Sequence, residues 1–88
     1  MLKETVVVNN TTGIHARPAG ILAKSVKALD CTVVLNYNGR TIKATSVMNL
    51  LNAGIKARSE VEVVCEGTDE EVAMQTVRTL FSTGFGCE

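Results

Sequence analysis

The sequence predicts an α+β two-layer sandwich of order β-α-β-β-α-β-α, with a four-stranded, mainly antiparallel sheet and three helices on one face. Three observations point there. Short β-branched runs alternate with stretches whose apolar residues recur at helical spacing. Asn38-Gly39, flanked by Tyr37 and Arg40, is a strong short-range hairpin signal of type I′. Glu60-Val61-Glu62-Val63 alternates polar and apolar, as a strand with one solvated face should, and antiparallel sheets permit such a face.

The elements follow in order. Residues 2–9 are β-branched and short and read as the first strand, ended by the turn-forming run Asn9-Asn10-Thr11-Thr12-Gly13. Pro18 lacks an amide N–H and is tolerated only in a helix's first turn. Ala19, Leu22, Ala23, Val26 and Leu29 then repeat helically, so the first helix is expected from Ala16 to Ala28. Cys31, Val33 and Leu35 alternate with Thr32, Val34 and Asn36 as a second strand. A short third strand points Ile42 and Ala44 one way, and Thr41 and Lys43 the other. Thr45 and Ser46 cap a second helix from Val47 to Asn52, stopped by Asn52-Ala53-Gly54. The last strand begins at Glu60 and runs to Glu66. Thr68-Asp69-Glu70-Glu71 reads as a capping box for a third helix. Its inner face is expected to be Val72, Ala73, Thr76, Val77, Leu80 and Phe81, with Gly84 and Gly86 at a fraying end.

Composition bounds the function. Eighty-eight residues, 45% hydrophobic and 3% aromatic, suit a single small domain over residues 1–88 with an aliphatic core, too small for a separate cofactor domain. No cofactor or metal is expected. The longest apolar runs, such as Val6-Val7-Val8 and Val33-Val34-Leu35, are too short for a bilayer span or a signal-peptide core, so a cytoplasmic protein without membrane insertion is expected. Cys31, Cys65 and Cys87 are odd in number and form no Cys-x-x-Cys pair, which argues for free thiols over a disulfide framework or zinc site. Cys87, near the C-terminal end of the sequence, is the one expected to form adventitious disulfides.

A net charge of zero argues against direct nucleic-acid binding. It conceals an asymmetry. Residues 1–59 hold eight basic and two acidic residues, a balance of +6, and residues 60–88 hold seven acids and Arg78, a balance of −6. One region is thereby suited to an acidic partner, although solvated charges also segregate by chance.

The chemistry centres on Gly13-Ile14-His15-Ala16-Arg17-Pro18-Ala19, which contains the only histidine and the only proline. Pro18 places His15 at or next to the N-cap of the first helix. The free amides of Ala16 and Arg17 and the positive helix end then face whatever anion sits there. A neutral imidazole is a competent phosphoryl acceptor, and the roughly doubly negative group it gains could be held by those amides, the Arg17 guanidinium and the Thr12 hydroxyl. Each residue alone has an ordinary structural reading. The functional one rests on their spacing.

Arg17, Lys24 and Lys27 share one helical face, which suits an acidic partner or simply solvent. In the second helix, Val47, Met48 and Leu51 lie on a different side from Leu50. Both sets cannot be buried, so one is an exposed contact patch. Ser46 is a plain N-cap whose phosphorylation the helix dipole would tolerate while opposing an acidic partner.

Taken together, the motif around His15 and the stretch Lys43-Ala44-Thr45-Ser46-Val47-Met48 resemble the active-site and regulatory-serine signatures of HPr. These are the histidine-containing phosphocarriers of the bacterial phosphoenolpyruvate:sugar phosphotransferase system, and the resemblance covers the whole chain. It implies that His15 takes phosphate on Nδ1 from phosphorylated enzyme I and passes it to enzyme IIA domains of sugar permeases. Arg17 would be the site arginine. The chain would not be an enzyme in its own right. In the branch with a regulatory serine it further implies modification of Ser46 by HPr kinase/phosphorylase and binding of that form to catabolite control protein A. A regulatory relative acting mainly through phospho-Ser46 as a corepressor is the alternative. A small acyl-phosphate hydrolase is a third reading, for which the sequence supplies no dedicated signal. Asn49, Arg58 and Gly20 depart from the pattern of that branch, and a monomer is expected.

Overall fold

The computed structural model describes residues 1–86. Its elements are β1 (Leu2–Val7), α1 (Ala16–Lys27), β2 (Thr32–Tyr37), β3 (Arg40–Lys43), α2 (Val47–Asn52), β4 (Glu60–Glu66) and α3 (Glu70–Ser82), followed by a 3-10 turn, Gly84–Gly86. The four strands form one sheet of order β1-β4-β2-β3, antiparallel throughout. Order and class are those expected.

Register explains the two faces. Leu2, Glu4 and Val6 of β1 stand opposite Cys65, Val63 and Val61 of β4, and Val33 and Leu35 of β2 face Cys65 and Val63 from the other side. Val61, Val63, Cys65, Val33, Leu35 and Ile42 are buried beneath the helices, joined by Leu22 and Val26 of α1, Leu50 of α2, and Met74, Val77 and Phe81 of α3. The opposite face stays polar. There Thr41 Oγ1 donates to Asn36 Oδ1 at 2.8 Å, and Asn36 Nδ2 donates to Glu62 Oε1 at 2.8 Å. The hairpin is type I′, with φ of 52° at Asn38 and 75° at Gly39.

Several local expectations are corrected. β1 stops at Val7 rather than running to Asn9. Val8 bonds instead to the loop before β4, its N–H donating to Ser59 O at 3.0 Å and its carbonyl accepting from Arg58 N at 2.8 Å. β2 begins at Thr32, not Cys31, and extends to Tyr37. The N-cap of α3 is Asp69, not Thr68. Its carboxylate is spent across the fold, accepting from Asp30 N at 2.7 Å, while Glu70 rather than Glu71 reaches back to Gly67 N at 3.2 Å.

The buried stripe of α3 is Ala73, Met74, Val77 and Phe81. It is rotated towards Met74, which leaves Val72 on the solvent side at 52% exposed, with Thr76 and Leu80 half-buried on its flanks. The glycine-rich end of α3 is not frayed. Gly84, Phe85 and Gly86 all take positive φ, and the turn tucks the Phe85 ring edge-on against Phe81, centroids 4.9 Å apart. Cys65 is buried and Cys31 half-buried, both free thiols, and burial pushes the Cys65 thiol up to about 11. The expectation for Cys87 lies outside the described residues.

Candidate functional site

The loop before α1 is built on Gly13. Its φ of +73° is costly for a side chain, and a Cβ there would lie 2.6 Å from Ile55 O. Asn10, the only buried polar residue among those described, brackets the same glycine. Asn10 Oδ1 accepts from Gly13 N at 3.0 Å, and Asn10 Nδ2 donates to Gly13 O at 3.0 Å. Ile14 then donates to Ile55 O at 3.0 Å and buries its side chain. The backbone entering the helix is thus fixed from two sides.

His15 comes next, as the N-cap of α1. Its backbone is extended (φ −101°, ψ −163°), its carbonyl accepts the first intrahelical bond from Ala19 N at 3.0 Å, and its side chain makes no capping hydrogen bond. The imidazole is exposed. Pro18 is fully buried, which anchors the first turn without needing an N–H. Ala16 and Arg17 are the first-turn residues whose amides precede that first intrahelical bond, and both are exposed, as is Thr12. One short stretch therefore carries an exposed imidazole, two helix-start amides, a hydroxyl and a guanidinium. Among the described residues Arg17 forms no ion pair.

The other expected residues lie on the same side of the fold. Lys24 and Lys27 are exposed in the last turn of α1, unpaired among the described residues. α2 packs against α1. Ser46 is its N-cap, with Oγ accepting from Asn49 N at 3.2 Å. Leu50 is buried, whereas Val47, Met48 and Leu51 are 38%, 68% and 38% exposed, so the outer set is the patch. No hydrogen bond joins Ser46 to the His15 loop among the described residues. Nor does any group of three His, Cys, Asp or Glu among them form a candidate metal site.

Asn10 and Ile55 were not singled out from the sequence. Asn10 carried a turn signal but no sign of burial, and the role of Ile55 is a carbonyl contact made far along the chain.

A sequence model of the PTS-HPr family, described as the PTS HPr component phosphorylation site, matches residues 2–83. The phosphocarrier protein HPr of Chlamydia trachomatis is 36% identical over 85 residues, 97% of this chain and 78% of that protein. The chain belongs to the PTS-HPr family. HPr-C-His from Thermoanaerobacter tengcongensis superposes with a TM-score of 0.94 at 28% identity, covering 100% of this chain and 99% of that one. Crh, the Bacillus subtilis catabolite repression containing protein, was crystallised as a dimer with a swapping domain. It superposes at 0.76 with 26% identity, covering 96% of this chain and 97% of that one. Family membership gives the coarse function. This is a phosphocarrier of the phosphotransferase system, carrying a phosphoryl group rather than catalysing a reaction independently. No helix among the described residues is long and apolar enough to cross a membrane.

Proposed function

We propose that His15 is the residue that carries the phosphoryl group. The observation that supports this most directly is the exposed imidazole at the N-cap, beside the helix-start amides of Ala16 and Arg17. In the step we infer, the Nδ1 lone pair of neutral His15 attacks phosphorus. The P–N bond to a phosphohistidine of enzyme I breaks as the new one forms, and the donor imidazole leaves with the electron pair. His15 keeps its proton on Nε2. The transferred group brings negative charge, which the Ala16 and Arg17 amides, the positive end of α1, Thr12 and the Arg17 guanidinium receive. Partial exposure prevents the site from becoming a trap, and the same step in reverse delivers the group to an enzyme IIA domain.

The exposed apolar patch Val47, Met48 and Leu51 of α2, together with Lys24 and Lys27 of α1, forms the docking surface for these partners in this reading. Ser46 is the regulatory acceptor. HPr kinase/phosphorylase would modify it and catabolite control protein A would read the product, the new charge opposing an acidic partner next to α1. Crh makes a mainly corepressor role the alternative. The chain acts in the cytoplasm as one domain and one copy, without cofactor or membrane insertion.

The test is chemical. Incubation with enzyme I and phosphoenolpyruvate should introduce a label that is lost in acid and survives base, and that is absent from His15→Ala. A label that survives acid, or one retained by His15→Ala, rules the assignment out.

A further inference from the structure

Gly13 is the point of freedom in the loop that carries His15. The approach of Ile55 O, 2.6 Å from where a Cβ would stand, leaves room for glycine alone. Glycine also admits more backbone conformations than any other residue, and here it lies two positions before the imidazole. Gly13 is buried, and among the described residues its N–H and its carbonyl share one partner, the Asn10 side chain. Donor and acceptor of a single planar amide thus clasp both backbone groups of the residue most able to swing the chain. Asn10 is itself backed by the turn after α3, where the Cβ position of Gly84 is 3.4 Å from Asn10 Cβ and 3.2 Å from Asn9 O. The imidazole makes no capping hydrogen bond of its own. Its placement beside the Ala16 and Arg17 amides is therefore inherited from the backbone that delivers it.

We infer that Asn10 is a positioning residue for phosphoryl transfer. By holding Gly13 it fixes the N-cap backbone, so that the His15 ring and the Ala16 and Arg17 amides meet the incoming group in one set arrangement. The inference rests on the reading of His15 as the acceptor. Asn10 is 5% exposed, so it acts through Gly13 and not by touching the phosphoryl group or a partner. Transfer needs the reacting atoms aligned and roughly 3–3.5 Å apart, and small displacements of the nucleophile cost rate steeply. Asparagine suits the task because it sets one donor and one acceptor side by side. An ionised aspartate only accepts, and an apolar side chain would leave both buried backbone groups unpaired. The docking residues of α1 and α2 make no hydrogen bond to Asn10. Its loss should therefore fall on the rate within the complex and spare the binding that precedes it.

Single-turnover transfer from phosphorylated enzyme I, followed against the concentration of the full chain, separates the limiting rate from half-saturation. Asn10→Ala is compared with the parent at a temperature where circular dichroism shows both folded. The comparison is repeated in a Gly20→Ala background, whose added Cβ meets nothing within 4 Å, to offset lost stability. In both backgrounds the limiting rate should fall about tenfold or more while half-saturation changes by less than about twofold. Amide NMR of the free variant should show Gly13, Ala16 and Arg17 moved, and Lys24 and Met48 where they were. A folded Asn10→Ala that transfers at the parental limiting rate would make Asn10 merely structural and overturn the inference, as would a loss confined to half-saturation. A parent that takes no acid-labile label removes the His15 reading and this inference together. A labelled parent beside a variant of unchanged limiting rate overturns this inference alone.

Discussion

Gly13, in the loop, and Gly20, inside α1, show how differently one residue type can be used over a short stretch of chain. At Gly13 a methyl group would meet Ile55 O at 2.6 Å in a left-handed backbone. Gly13→Ala should therefore destabilise by roughly 2 kcal/mol or more and disturb the entry to α1. At Gly20 an added Cβ meets nothing within 4 Å, so Gly20→Ala should stabilise by about 0.5–1 kcal/mol. Thermal unfolding of the two variants checks both signs. Half of this was legible beforehand. The helical position of Gly20 announces its propensity cost, and the glycine in Gly13-Ile14-His15 announces a turn. The carbonyl that forbids a side chain at Gly13 belongs to a distant segment and leaves no local mark.

At the scale of elements, the helices and strands were legible where periodicity is strong, and their ends were not. Asp69 shows why. A capping box is read from spacing alone, yet the Asp69 carboxylate accepts from Asp30 in another loop, and that tertiary contact moved the helix start by one residue. The turn after α3 was misread because paired glycines usually mean an unravelling end. Here they flank Phe85, whose ring is 3% exposed. Phe85→Ala should cost about 3 kcal/mol in denaturant unfolding. It should also loosen the loop before His15, since Gly84 packs against Asn9 and Asn10 and Asn9 Nδ2 donates to Ser82 O at 2.8 Å. In α2 the sequence left open which apolar set is outside, and packing against α1 decided for Leu50 inside. Met48→Glu should then change stability by less than about 0.5 kcal/mol while slowing phosphoryl exchange with enzyme I. Equal losses of stability and exchange would return Met48 to the core.

For the whole molecule, the charge asymmetry of the sequence is only partly spatial, since Lys3, Arg40 and Lys43 stand in the same sheet as the acids of β4. Glu60, Glu62 and Glu66 lie on β4 and Glu70 and Glu71 open α3, whereas Arg17, Lys24 and Lys27 are exposed on α1. Reversing Lys24 and Lys27 to glutamate should weaken enzyme I binding, and the deficit should shrink as salt rises. A deficit independent of ionic strength would mean that the two lysines only face solvent. Acid should act elsewhere. The hydrogen bond from Arg78 holds the Glu4 carboxyl below its ordinary 4.5, and the Gly67 amide does the same for Glu70. Folded pKa values that are depressed mean stability present above 4.5 and lost as pH falls through the lowered values. Both groups are only half-buried and keep solvent contact, so the contribution is small. Glu4→Gln and Glu70→Gln should lower Tm slightly at neutral pH, and the difference from the parent should shrink as pH falls below 4.5 and vanish once both carboxyls are protonated in the folded chain.

The reading as a whole depends on backbone amides at a helix start receiving a phosphoryl group from the neighbouring ring. NMR of the chain after reaction with enzyme I and phosphoenolpyruvate tests that contact directly. Phosphorus should couple to the His15 Nδ1, and the amide protons of Ala16 and Arg17 should move downfield together and return when the label is removed by acid. Phosphorus bonded to any other residue, or Ala16 and Arg17 amides that stay where they were, would contradict it.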